Sequence, residues 1–351
     1  MAGNAAQNAA ASTLALSPAP LPSAAKTNAE LPALTGVALA QWQALAARAA
    51  EPNGYNLPEW ALAVNAFSSG RMNVSALDAR DDTGRNLIGL MPAVSAWRAY
   101  KLPLPAFVTA DVYPPLGTLL LDRDKAAEAA GKLMQRARAA GAHALILRDT
   151  PLDGAVMASF TRALEWTGQH PQILHAHERA ALDATRDAED LLREALGPKK
   201  LKELRRQRNR LADMGEVIFS IASTPDEAMP ALEVFLQLEA SGWKARRGTA
   251  LIQDEHHLSF IRRAVHDMAA RGQCEIVTLY AGETPVAAAI VLRHLDRAFY
   301  FKLGVDERFA KFSPGVQLTL DLTRHMCADE AIALVDSTAI PNHPMIDPIW
   351  R

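Results

Sequence analysis

The residues with the most chemical potential lie in the last fifty or so positions of the chain. Asp336 follows Ala333-Leu334-Val335, so it stands at the end of a short apolar strand, where a carboxylate commonly faces a cleft. The same carboxylate is equally suited to bonding the backbone of Ser337 and Thr338 in a turn. His343, in Pro341-Asn342-His343-Pro344, ionises near neutral pH and is a candidate base, or a structural or merely exposed loop residue. Tyr300 and Lys302 stand two apart in Phe299-Tyr300-Phe301-Lys302-Leu303. In a regular strand that spacing puts both side chains on one face. Facing a cleft they supply a proton donor and an anion holder; otherwise they form a polar edge, with Tyr300 in the core.

An anion site is suggested between these groups. Ser313-Pro314-Gly315 opens a run free of Gly and Pro from 316 to 340, with apolar Val316, Leu318, Leu320 and Leu322. Serine is a good N-cap and proline suits the first helical turn. A helix start preceded by Lys311 favours negative charge, through free backbone N–H groups and the helix dipole. Earlier, Trp243-Lys244 follows a helix end and precedes Arg246-Arg247. It is a solvated basic turn or a segment that binds an acceptor.

These residues need a framework of strands and helices, and the pattern supplies one in each half. Helices are expected over LAQWQALAARA from Leu39 and from Pro58 to Phe67. Strands Met72–Ala79 and Leu87–Ala96 flank the turn Asp81-Asp82-Thr83-Gly84. A Pro-rich passage then ends in a strand, Leu116–Leu121. Helix Asp124–Ala140 stops at Gly141, strand Ala144–Leu147 and helix Val156–Trp166 follow, and a strand Gln172–Leu182 closes the half. The second half has two helices around Gly197-Pro198, strand Val217–Ile221, helices Pro225–Ala240 and His257–Ala270, a hairpin Glu275–Tyr280/Pro285–His294, strand Ala298–Leu303, the helix from Pro314 and strand Ile332–Asp336. The shared order suggests two related α/β modules with mixed sheets, residues 36–185 and 186–351, behind an Ala/Pro/Ser-rich tail, 1–35, too poor in apolar residues to fold.

Composition bounds the function. The chain has 351 residues, 49% hydrophobic and 22% charged, with net charge −2. That balance supports a large core and argues against a surface built wholly for nucleic acid. Two cysteines, Cys274 and Cys327, make neither a disulfide framework nor a metal set, and His256-His257 lack further ligands at usable spacing. No metal is expected, no apolar run is long enough to cross a bilayer, and a cytoplasmic setting is the default. Helix 199–210 carries Lys199, Lys200, Lys202, Arg205, Arg206, Arg208 and Arg210 against Glu203. Leu201, Leu204 and Leu211 form one stripe, so the helix packs and turns its charges outward.

The segments SGWKARRGTAL (Ser241–Leu251), LYAGETPVAAAIVL (Leu279–Leu292), FKLGVDERFAKFSPGVQL (Phe301–Leu318) and LVDSTAIPNHPMI (Leu334–Ile346) resemble the FemAB-like, CelD-type (BioF2-like) branch of the GNAT acyltransferases. The resemblance is good from Leu182 onward and looser over 55–180. It implies a tandem GNAT-like fold and transfer of an acyl group to an amine or hydroxyl. It assigns Lys311, Phe312, Ser313, Gly315 and Val316 to the donor's pyrophosphate, Asp336, His343 or Tyr300 to proton transfer, and Trp243, Lys244 and Lys302 to substrate. The donor implied is acetyl-CoA or another acyl-CoA. FemAB-type relatives use aminoacyl-tRNA instead, and this chain has one glycine where GNAT enzymes show a glycine-rich loop. The family carries a similar Arg-rich helix without a DNA function. Relatives continue past a segment like HPMIDPIWR with a further strand. The acceptor expected is a small molecule or a glycan precursor of cell-envelope polysaccharide; a non-catalytic scaffold in polysaccharide export is the rival of a different class.

Overall fold

The computed structural model describes residues 30–67, 74–110, 113, 115–242, 248 and 250–350. The first half runs α1 (Leu39–Ala46), α2 (Pro58–Phe67), β1 (Ser75–Arg80), β2 (Leu87–Ser95), α3 (Ala96–Tyr100), β3 (Ala106–Thr109), β4 (Leu120–Leu121), α4 (Ala126–Ala139), β5 (Ala144–Ile146) and α5 (Ala155–Glu165). The second half runs β6 (Ala181–Asp183), α6 (Ala188–Ala212), β7 (Val217–Ala222), α7 (Pro225–Ala240), α8 (Glu255–Ala269), β8 (Cys274–Ala281), β9 (Thr284–His294), β10 (Arg297–Val305), α9 (Pro314–Ala328) and β11 (Leu334–Asp336). The fold is mixed α/β, with two mixed sheets flanked by helices.

Local chemistry sets these elements. At the start of α7, Pro225 follows Thr224, and Glu227 Oε2 accepts the N–H groups of Ser223 and Thr224. Asp254 does the same for α8, taking the N–H groups of His256 and His257. Gly197, with φ +68°, kinks α6 just before Pro198. Strand β9 is buried along most of its length, which matches its unbroken apolar run.

Each sheet repeats one topology. In the first, β1, β2 and β3 form an antiparallel meander, and the chain returns through α4 to lay β5 parallel to β3, with β4 on β2. In the second, β8, β9 and β10 form the meander and α9 returns β11 parallel to β10. A parallel pair needs such a crossover. The outer edge of β11, where a following strand is expected from the resemblance, is paired antiparallel with β6 from upstream.

Three apolar clusters hold the layers. Helices α4 and α5 cover one face of the first sheet through Leu133 and Phe160. Helices α6 and α9 cover one face of the second through Leu204, Leu318 and Leu322. The inner faces of both sheets share one cluster with α1, α2, α7 and α8, built on Trp42, Trp60, Phe235, Phe260 and Phe299. The halves therefore share a continuous core.

Three expectations are corrected. Residues 30–35 do not belong to an unstructured tail: Leu34 is buried and bonds Val74 O, and Pro32 O accepts from Ala76. Residues 1–29 and 68–73, including Met72, lie outside the described residues. The expected strand Gln172–Leu182 is regular only from Ala181, where it pairs with β11. The Pro-rich passage contains β3, because Ala106–Thr109 reaches the free edges of β2 and β5 between the prolines.

His294 fastens the halves together. Its Nδ1 accepts the Asn53 N–H at 2.8 Å, and Nε2 meets Ala46 O at 3.0 Å. The ring is thus neutral, with its proton on Nε2, and burial holds its pKa below the usual histidine value. A second proton would put two N–H groups face to face. The unfolded chain takes that proton near pH ~6.5, so the stability from this contact is full above that value and falls as the solution is acidified. Replacing His294 with Gln removes the titration. Denaturant melts at pH 7 and pH 5 are expected to show a smaller stability loss in the variant, by at most about 1.4 kcal/mol per pH unit. Equal losses in both proteins would contradict it.

Candidate active site

Strand β10 carries the geometry of the site. It pairs with β9 in register to Tyr300, slips, and resumes at Lys302. Such a bulge breaks the alternation of faces. Tyr300 turns toward α9, where its Oη lies 3.3 Å from Thr319 Oγ1 and its ring 5.7 Å from Trp350. Lys302 turns toward α7, with Nζ 3.0 Å from Glu239 Oε1. The two side chains do not share a face, contrary to their spacing. Burial pushes the Tyr300 phenol up. It is a core residue whose hydroxyl faces Thr319 on α9 and not the fork, which argues against it as a proton donor.

Strands β10 and β11 stay together only from Arg297 to Phe299 opposite Leu334 to Asp336, and then part. Thr338 sits at the apex of this fork with φ +48°, a strained conformation for a β-branched residue. Two bonds hold it there: its N–H to Asp336 Oδ1 at 2.8 Å, and its Oγ1 to Tyr300 O at 2.7 Å. Asp336 is 8% exposed, and its Oδ2 takes Arg179 Nη2 at 2.6 Å. The other arm of Arg179 reaches Pro115 O in the first half. Asp336, Arg179, Arg297, Arg148 and Glu51 line a cavity of about 2080 Å³ between the halves.

Helix α9 begins behind the fork. A 3₁₀ turn, Glu307–Phe312, leads to Ser313 with φ +53°, and the first helical bond runs from Gln317 N–H to Ser313 O. The N–H groups of Gly315 and Val316 come before that bond and precede the helix ladder. Lys311 is exposed, its Nζ 4.8 Å from the centre of the buried Phe312 ring. Gly315 is needed for packing: a Cβ there would lie 2.9 Å from Leu303 and 3.2 Å from Met345 Sδ. These residues suit an anion at the helix start, with the glycine face turned inward. His343 lies apart from the apex, its Nδ1 accepting the N–H groups of Met345 and Ile346 at 3.3 Å. It caps the turn that brings Met345 onto Gly315. Trp243 and Lys244 lie outside the described residues. No group of metal-binding side chains occurs among the described residues, nor any helix long and apolar enough to cross a membrane.

Two participants escaped the sequence reading. Glu239 is buried on α7, and a buried carboxylate calls for a cation, which Lys302 provides. Its signal was an acid beside the apolar Leu236 and Leu238. Arg179 sits in an irregular segment with no pattern to reveal it.

The first half has the corresponding fork between β3 and β5, and its own chain fills it. Gly117 lies between the strands, where a Cβ would meet Arg148 O at 2.2 Å and Thr109 Oγ1 at 3.2 Å. Its N–H bonds Asp149 O, and Thr109 Oγ1 takes the Arg148 N–H.

Residues 198–342 match the family model described as acetyltransferase (GNAT) domain, a span holding β10, α9 and β11. Among solved structures, FemX aligns at TM-score 0.58 and 12% identity, covering 88% of this chain and 89% of that one. The C-terminal domain assigned to a lysylphosphatidylglycerol synthetase from Agrobacterium fabrum aligns at TM-score 0.50 and 14% identity, covering 86% and 77%. A conserved protein of unknown function from Bacteroides thetaiotaomicron VPI-5482 aligns at TM-score 0.50 and 16% identity, covering 89% and 92%. At these identities the likeness is one of fold. No curated protein matches the chain.

The Asp336–Arg179 pair gives a stability test. Asp336→Ala leaves Arg179 without its partner and frees the Thr338 turn, at an expected cost of about 3–5 kcal/mol. Asp336→Asn keeps an acceptor for the Thr338 N–H and is expected to cost less. Urea unfolding of both variants checks the order; an alanine variant as stable as the wild type would refute it.

Proposed function

We propose that this transferase, a FemAB-like chain with a GNAT acetyltransferase domain at residues 198–342, moves an acyl group from a CoA thioester to a small-molecule or glycan-precursor acceptor in the cytoplasm. The observation that carries the reading is the open fork of the second half with a helix start behind it. The donor's pyrophosphate is assigned to the Gly315 and Val316 N–H groups beside Lys311. The thioester reaches between β10 and β11, and the acceptor enters from the cavity between the halves. That cavity is lined with arginines, histidines and carboxylates, which suits a polar, hydroxyl- or amine-bearing molecule. The acceptor's nitrogen or oxygen attacks the carbonyl carbon, the C–S bond breaks, and the thiol leaves with the proton lost by the acceptor. We assign the intermediate custody of that proton to Asp336, the carboxylate at the apex.

One observation favours a second donor, aminoacyl-tRNA. The kinked second part of α6 exposes Lys199, Lys200, Lys202, Arg205 and Arg206 and packs against the 3₁₀ turn before α9. Helix α9 is also tied to α6 by Gln317 Nε2 to Leu204 O and by Arg208 to Asp321. A polyanion at the α9 start would meet this basic face. Its test is tRNA binding that weakens steeply between roughly 50 and 200 mM salt.

Melting curves of the full chain with acetyl-CoA, longer acyl-CoAs and free CoA separate the donors. A ligand at about 100 times its Kd adds about 2.7 kcal/mol of stability, and Lys311→Glu is expected to shrink the shift. No shift with any CoA species at millimolar concentration would contradict the CoA reading.

A further inference from the structure

Tyr55 belongs to the first half, yet it stands at the fork of the second. Asn53 grips its backbone: Asn53 Oδ1 takes the Tyr55 N–H at 2.9 Å, and Asn53 Nδ2 bonds Leu116 O and Thr118 O. Gly54 brings this turn onto β10, because a Cβ there would lie 3.2 Å from Phe299. The Tyr55 ring then meets Phe299 at 5.8 Å, Phe301 at 6.0 Å and Trp60 at 5.3 Å, all edge-on. Phe301 lies at the bulge, where β10 begins to part from β11.

The hydroxyl of this well-held ring is buried and makes no hydrogen bond of normal geometry with the described residues. It approaches the Thr338 hydroxyl, which is itself bonded to Tyr300 O, and feels the charges of Asp336 and Arg179, the groups that form the apex. Trp60 Nε1, on the same aromatic wall, is likewise buried without a described partner. Buried donors of this kind are normally satisfied. Two of them on one wall at a fork call for an acceptor oxygen that arrives with a ligand. Burial pushes the Tyr55 phenol up, so the group stays protonated and donates.

We propose that Tyr55 is a catalytic residue contributed by the first half, donating its O–H to the carbonyl oxygen of the acyl group bound in the fork. The inference rests on the fork being the place of acyl transfer. As the acceptor's lone pair bonds to the carbonyl carbon, the C=O π pair moves onto oxygen, and the Tyr55 O–H holds that charge without giving up its proton. Collapse restores C=O and breaks C–S. The thiolate takes the proton released by the acceptor. The first half thus completes a site that the GNAT domain alone leaves short of a donor.

The test compares the full chain with Tyr55→Phe, using acetyl-CoA as donor, hydroxylamine as probe acceptor, and thiol release above the uncatalysed background as the readout. The phenylalanine keeps the ring and removes only the hydroxyl. Loss of one oxyanion donor typically lowers kcat by roughly 10²-fold, and that loss is expected here with KM for acetyl-CoA and the melting temperature unchanged. Equal kcat in both proteins would overturn the role of Tyr55 and leave the fork standing. A lowered melting temperature with kcat unchanged would make the hydroxyl a structural bond, which also overturns it. Silence of the wild-type protein with acetyl-CoA would overturn the CoA reading of the fork, and this inference with it.

Discussion

Between Tyr300 and Lys302, β10 holds one residue more than β9 can pair, and the second half takes its working shape from that slip. Before the slip, β10 is an ordinary member of the sheet, bonded to β11 on one side and β9 on the other. After it, the strand turns away from β11. Side chains that alternation would have put together are sent to opposite layers: Tyr300 into the α9 core, Lys302 to the buried Glu239 on α7. Gly304 lets α7 close on the bent strand, since a Cβ there would lie 2.8 Å from Glu239 N. The fork is stable because both of its sides are packed and its apex is tied. Thr338 accepts a strained conformation in exchange for bonds to Asp336 and Tyr300, and Arg179 carries that tie across to Pro115.

The two halves share a topology and differ in what occupies the fork. In the first, Gly117 lies between the parted strands, with its N–H bonded to Asp149 O. The first half serves the second in another way. Its turn at Asn53–Tyr55 supplies a wall of the open fork, His294 fixes that turn to the end of β9, and the shared core keeps the two sheets in register.

Most of the elements were legible in the sequence because their signals are local. The capping pattern Thr224-Pro225…Glu227 announces α7, Gly141 ends α4, and the apolar run of β9 has no other use. The start of α9 could be read from Ser313-Pro314-Gly315, although the glycine proves to serve packing against Leu303 and Met345. What was not legible depends on partners distant in sequence. The bulge depends on how β10 meets β9, and its effect was to reverse the expected pairing of Tyr300 with Lys302. His343 reads as a base, but spends Nδ1 on its own turn. Arg179 lies 157 residues from Asp336, in a segment with no periodicity, and Tyr55 matters only once the halves are docked.

The central claim is that the fork of the second half receives the donor while that of the first stays closed. Amide hydrogen exchange of the full chain with and without acetyl-CoA tests it most directly. Protection is predicted in two places: the parted strands at residues 301–305 and 337–340, and the α9 start at 313–317. Residues 106–119 and 144–149 of the first half should be unchanged. Protection confined to the first-half fork, or the absence of any change at 301–305 under saturating ligand, would contradict the account.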